Sequence, residues 1–190
     1  MTSGKSYSNV FHANGGNAAF SVMANTLRGV YGTDVLLATA NSFTGSVLKA
    51  DYTQKMADSM IMPNSLMSRQ RTMTGAELKE TVRAFVEGCE GGFVPFNRGS
   101  LPIVSGIAVE VKEASGSYTL TGITRNGQPL RDDDTVTVTC LAAEKQMEAM
   151  LASESGVSAG EDTWVKNTWR DHVSGGGAAL AEPENYMTLR

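Results

Sequence analysis

The chain has 190 residues, a formal net charge of −4, 41% hydrophobic and 19% charged residues. That length holds one sizeable core, the composition excludes wholesale disorder, and the acidic balance leaves no basic footprint for nucleic acid. No apolar run approaches the roughly 20 residues that cross a bilayer, so membrane insertion is not expected.

Residues 1–16 read as a loose, polar lead-in, and the opening MTSGKSYSNVF has no apolar segment of a signal peptide. From Asn17 onward NAAFSVMANTLRGVYG places Ala19, Val22, Met23, Thr26, Leu27 and Val30 on one helical face. Asn17 fits an N-cap and Gly32 a C-terminal stop. TDVLLATA follows as a short, continuous apolar run, the pattern of a strand buried on both faces.

The next stretch is predicted as a loop around Asn41, Ser42 and Gly45, a short helix over Thr53–Ser59, a break at Pro63 and a strand ending near Met73. Thr74 followed by Glu77 is a capping box, and Leu78, Val82, Phe85 and Val86 form a core-facing stripe that Gly88 ends. GGFVPFNRGSLP reads as a punctuated loop. IVSGIAVEV, GSYTLTGITRNG and DTVTVTC read as three β runs, with Asn126-Gly127 as a hairpin turn. AAEKQMEAMLASE returns to helical composition. TWVKNTWRDHV is a last amphipathic helix with Trp164, Val165, Thr168, Trp169 and Val173 on one face, and ENYMTLR reads as a closing edge strand. Residues 17–190 therefore read as one α+β domain, a mixed sheet with flanking helices.

Chemistry is sparse. Cys89 and Cys140 permit one disulfide at most and read more simply as small buried hydrophobes. His12 and His172 have no neighbouring thiolate or carboxylate at metal-ligand spacing. HANGGNAAF precedes a helix but lacks a preceding strand, a GxGxxG pattern or a phosphate-binding lysine. Asp132–Asp134 lacks the spacing of a calcium loop and reads as a solvated turn. In FNRGS, Arg98 beside Phe96 suits stacking on a flat ligand and pairing with an anion; an exposed turn arginine is the plainer alternative.

The order of elements resembles the C-terminal domain of the 5′-nucleotidase family, from about Asn17 to the end. GNAAFSVMANTLRGVYGTDVLLATANS resembles the family's opening helix and strand, GNLVADAMR followed by ADIALxNxGGIR. MPNSLMSRQRTMTGAELKETVRAFVEG resembles PFxNxLxxxxLTGxxLxxxLE. GSLPIVSGIAVEV resembles FPQVSGLxFxxD, and ITRNGQPLRDDDTVTVTC resembles VxVNGxPLDPxKTYxVAT. The resemblance implies a fold of mixed sheet and helices. It also implies a partner N-terminal metallophosphoesterase domain that holds two catalytic metals, with no cofactor in this chain. The ligand would be a nucleoside or nucleotide-like small molecule, which the family stacks between two phenylalanines and fixes with arginine and asparagine.

The chain departs from the family at the ligand side. SFTGS stands where the family has GGIR, Pro63-Asn64-Ser65-Leu66 stands where it has PFxN, and CLAAEKQMEA lacks the second phenylalanine. Asn41 and Gly99 fall on matching ligand-side positions. With Phe43, Asn64, Phe93, Phe96 and Arg98 they are the candidate substrate-binding residues, and no catalytic or metal-binding residue is expected in this chain. The resemblance implies the substrate-recognition domain of a secreted, periplasmic or wall-attached hydrolase in nucleotide catabolism. The alternative is a degenerate, non-catalytic binding or structural module of a bacterial cell-surface protein.

Overall fold

Helix α1 (Ala18–Tyr31) starts where the Asn17 side-chain oxygen accepts the Phe20 amide at 3.0 Å, and stops at Gly32 with φ 65°. These are the caps the sequence predicts. The computed structural model describes residues 5–12, 16–48, 52–62, 65–87, 102–115, 117–143, 157–158, 163–174 and 180–190. Every residue of α1 from Ala19 to Leu27 is buried, a wider band than the predicted face, whereas Val30 is exposed. The reason lies at the far end of the chain. Residues 181–186 cross the polar side of the helix. The Ser21 hydroxyl exchanges bonds with the Glu184 carbonyl (3.1 Å) and amide (2.9 Å), Asn25 donates to the Glu182 carbonyl (2.8 Å), and Thr26 accepts the Ala181 amide (3.0 Å).

Strand β1 (Val35–Thr39) is buried along its whole length, as its unbroken apolar run predicts. A single 3₁₀ turn follows at Ala40–Ser42, and α2 (Gln54–Asp58) is capped by Thr53. Strand β2 (Leu66–Thr74) runs straight into α3 (Gly75–Glu87). The capping box forms: the Thr74 amide donates to the Glu77 carboxylate at 2.7 Å and the Glu77 amide to the Thr74 hydroxyl at 3.2 Å. Leu78, Val82 and Val86 are buried from the predicted stripe, while Phe85 is half-buried. The next two α3 donors go to the acidic turn, Gly75 to the Asp134 carbonyl and Ala76 to that of Asp132. Asp132 and Asp133 are solvent-exposed there, paired with Lys79 and Arg131.

IVSGIAVEV is not one strand. It divides into β3 (Pro102–Ser105) and β4 (Ala108–Ala114), which belong to different sheets. Gly106 makes the switch at φ 83°, with its α-carbon so close to the Asp34 carbonyl oxygen that a Cβ would lie 2.1 Å from it. The first sheet among the described residues has the order β3-β1-β7-β2-β8, where β7 is Thr135–Ala143 and β8 is Val157–Ser158; β9 (Thr163–Trp164) also pairs with β2. Only β1 and β7 are parallel in it. The second sheet runs β10-β4-β5-β6, with β5 Ser117–Arg125, β6 Gln128–Pro129 and β10 Met187–Leu189. Asn126 and Gly127, at φ 52° and 75°, make the predicted turn between β5 and β6, and β10 is the predicted closing edge strand, parallel to β4.

The last helix, α4 (Val165–Ser174), buries Val165, Trp169 and Val173 as predicted, but Trp164 is 48% exposed. It precedes the helix, on β9, and so leaves the helical face. Residues 5–12, predicted as a loose lead-in, are tied to the domain: Tyr7 bridges Val47, Phe11 bridges Asn17, and Lys5 and the Tyr7 hydroxyl both meet Glu182 (2.8 and 2.7 Å). Cys140 is buried, and burial pushes its thiol up to about 12. Cys89, Gly88, the predicted GGFVPFNRGSLP loop up to Leu101, most of the predicted AAEKQMEAMLASE helix and part of the HANGG segment lie outside the described residues.

The two sheets are tied at Asp34. Its carboxylate accepts the Thr137 amide and hydroxyl, both at 2.9 Å, and pairs with Arg125 of the second sheet. Burial alone would raise this carboxyl; the two Thr137 bonds, Arg125 and Arg28 outweigh it and hold it below the usual range. A carboxyl lowered in the folded state stabilises above its unfolded value of about 3.9, and that contribution is lost as pH falls through the folded value. Urea midpoints measured from neutral pH down to acid should therefore fall more steeply for the native protein than for Asp34→Asn. Parallel curves would rule Asp34 out as an acid-labile tie.

Candidate functional site

The register of the first sheet gathers four strand ends at one edge. Thr39, the end of β1, faces Pro102, the start of β3, and Ala143, the end of β7, faces Leu66, the start of β2. This edge is the carboxyl end of the parallel β1–β7 pair, where open α/β sheets place ligands. The candidate positions follow or precede these strand ends in the chain.

Two candidates are described. Asn41 sits in the 3₁₀ turn directly after β1 with its side chain exposed. Phe43 is two residues on and only 4% exposed. Its ring packs on Phe20 of α1 with centroids 5.7 Å apart, and Phe20 in turn meets Phe11 edge-on at 5.8 Å. Phe43 belongs to the core in this structure, and it shows no open face on which a base would stack. Asn64, Phe93, Phe96, Arg98 and Gly99 lie outside the described residues.

The segment bearing Asn41 is firmly held. The Met62 amide donates to the Ser42 carbonyl (3.2 Å), the Thr44 amide to the Met60 carbonyl (2.9 Å), and Phe43 bridges Ile61. The Ser42 hydroxyl is buried beside these bonds without a partner among the described residues. The α2 helix is clamped to α4 by Arg170, whose Nε and terminal nitrogen donate to the two Asp58 oxygens at 2.7 and 3.1 Å. These hydrogen bonds outweigh desolvation and lower the Asp58 carboxyl. No local sequence signal announces this pair, since 112 residues separate the partners.

His172 is half-buried beside Trp169, its Nε2 has no partner among the described residues, and burial lowers its basicity. His12 is exposed. Among the described residues no three His, Cys, Asp or Glu side chains gather as metal ligands, and no helix is long and apolar enough to cross a membrane. The Cys140 thiol, raised and enclosed, is not a nucleophile at neutral pH.

Two sheets of this topology, with α1 on one and α3 spanning both, make an α+β domain. Its fold is that of the 5′-nucleotidase C-terminal domain. No protein-family model matches the chain, and no curated protein matches it in sequence. Solved structures do match its fold. A 5′-nucleotidase precursor from Thermus thermophilus superposes over 100% of this chain and 39% of its own, with a TM-score of 0.64 and 13% identity. The NAD nucleotidase of Haemophilus influenzae matches over 100% and 36%, with a TM-score of 0.65 and 18% identity. A sulfate thiohydrolase from Thermus thermophilus matches over 100% and 34%, at 0.65 and 10%. The chain thus spans between about a third and two fifths of the length of the solved chains it matches.

Proposed function

We propose that this chain is the substrate-recognition domain of a 5′-nucleotidase-like phosphoester hydrolase, working outside the cytoplasm in nucleotide breakdown. Its partner is an N-terminal metallophosphoesterase domain that carries the divalent metals, and its ligand is a nucleoside or nucleotide-like molecule. The observation that carries this reading is the match of the entire chain to one portion of longer nucleotidase chains. The exposed Asn41 at the carboxyl end of β1 supports it. Asn64, Phe93, Phe96, Arg98 and Gly99 complete the proposed site, with Phe43 acting from behind as packing.

A second reading has its own support. The sulfate thiohydrolase shares the fold with a different substrate, so fold alone does not fix the ligand. Phe43, the one candidate aromatic among the described residues, is turned into the core. Two lost stacking rings would forfeit roughly 1–3 kcal/mol each. A binding or structural module that has given up nucleotide recognition fits this equally.

A thermal-shift panel of nucleosides, nucleotides and sugar phosphates, with and without divalent metal, separates the two. A ligand at about a hundred times its dissociation constant adds roughly 2.7 kcal/mol, which raises the midpoint by about 5–10 °C in a domain of this size. Under the first reading one nucleoside class produces such a shift, and Asn41→Ala or Phe96→Ala reduces it without lowering the unliganded midpoint. A flat panel, repeated with the chain joined to a metallophosphoesterase domain, would establish the second.

A further inference from the structure

A cleft lies where the two sheets meet near Asp34, at the amino-terminal end of β1 and away from Asn41. It is an open groove of about 330 Å³, lined by Arg28, Thr124, Asn126, Glu184 and Asn185, with the Gly106–Ala108 segment and Gly127 among its walls. Small-molecule sites run from about 300 to 1,000 Å³, so this one suits a single ring and not a dinucleotide.

We propose that the cleft binds one neutral, polyhydroxylated ring, a monosaccharide unit. The argument rests on the charge and the donor pattern. The Arg28 guanidinium lies 3.5 Å from the Glu184 carboxylate, and the nearby Asp34 carboxylate is paired with Arg125. Neither an anion nor a cation therefore finds an unbalanced charge there. Among the described residues no aromatic side chain lines the walls, which gives a flat apolar ring nothing to stack on. Sugar hydroxyls both donate and accept. They find a guanidinium that only donates, a carboxylate that only accepts, and two side-chain amides that do both.

The Arg28 side chain and the Glu184 backbone are held before any ligand arrives. Arg28 Nε donates to the Ser105 hydroxyl at 2.8 Å, and that hydroxyl donates to Asn25. Glu184 is fixed through its backbone by Ser21, which leaves its carboxylate half-exposed over the cleft. Gly106 and Asn126-Gly127 set the rim in left-handed backbone conformations. Such prior fixing removes part of the ordering cost that weak polar ligands otherwise meet. The residues come from separate stretches of chain, so no motif announces them.

The test is an amide-resolved NMR titration of the 190-residue chain with D-glucose, D-galactose, D-mannose and N-acetyl-D-glucosamine at millimolar concentration, with inorganic phosphate as the charged comparison. Saturable shifts of the Gly106, Gly127 and Asn185 amides with at least one sugar are expected. Glu184→Ala and Asn185→Ala should each weaken that binding about tenfold, or roughly 1.4 kcal/mol. Asn41→Ala should leave it unchanged, which separates this cleft from the proposed nucleoside site. Three results would overturn the proposal: no saturation with any sugar, saturation that Glu184→Ala does not alter, or tighter binding of phosphate at the same amides.

Discussion

Gly106→Ala is expected to remove a large part of the stability of the domain. Two independent penalties meet at this position. A side chain at φ 83° costs about 1–2 kcal/mol against the glycine it replaces. The added carbon also meets the Asp34 carbonyl oxygen at 2.1 Å, a backbone atom that no rotamer change can move aside. Overpacking of this kind costs roughly 1–3 kcal/mol, so the two together give about 2–5 kcal/mol. That carbonyl also accepts from Arg28, and the Asp34 carboxylate ties both sheets, so displacement spreads to the junction. A small domain holds only about 5–15 kcal/mol in total. Urea denaturation should show a midpoint lowered by a substantial fraction. Gly127→Ala, whose Cβ would meet nothing within 4 Å at φ 75°, should show the conformational part alone. Equal losses at the two glycines would show that the close approach to Asp34 is not tight in solution.

This position also shows what the sequence can and cannot convey. Local rules placed α1, β1, the capping box of α3, the Asn126-Gly127 turn and β10, because each depends on caps or periods within a few residues. The division of IVSGIAVEV between two sheets was hidden, since a lone glycine among β-formers reads as a continuing strand. Its cause is Asp34, far earlier in the chain. The same holds for the second buried face of α1. Ser21 and Asn25 look like the solvent side of an amphipathic helix until residues 181–186 are laid across them. Trp164 fits the period of α4 but is drawn onto β2 as β9. Of the candidate site, Asn41 is named by the family resemblance and stands exposed directly after β1. The sequence carried no sign of the Asp58–Arg170 clamp or the polar cleft, because those groups are adjacent in space alone.

Phe43 is the sharpest divergence, and it yields the second large prediction. The family resemblance places Phe43, in SFTGS, near the ligand cleft, where its removal would weaken binding and spare the fold. The structure supports the opposite. The ring is 4% exposed, packs on Phe20, and sits on a segment bridged to Ile61 and bonded through Thr44 to Met60. Phe43→Ala leaves a cavity between α1 and this segment, and truncating a buried phenylalanine costs about 3–5 kcal/mol. Phe43→Leu retains most of the apolar volume and should cost appreciably less. Asn41 is two residues away in the same held segment, so the alanine variant should also loosen any ligand contact there, through position and not through stacking. Urea denaturation of the two variants, read beside nucleoside titration, distinguishes the roles. A Phe43→Ala protein with native stability and lost binding would mean that the ring leaves the core to meet the ligand. A strongly destabilised alanine variant, with leucine restoring both stability and binding, would fix Phe43 as the packed support behind Asn41.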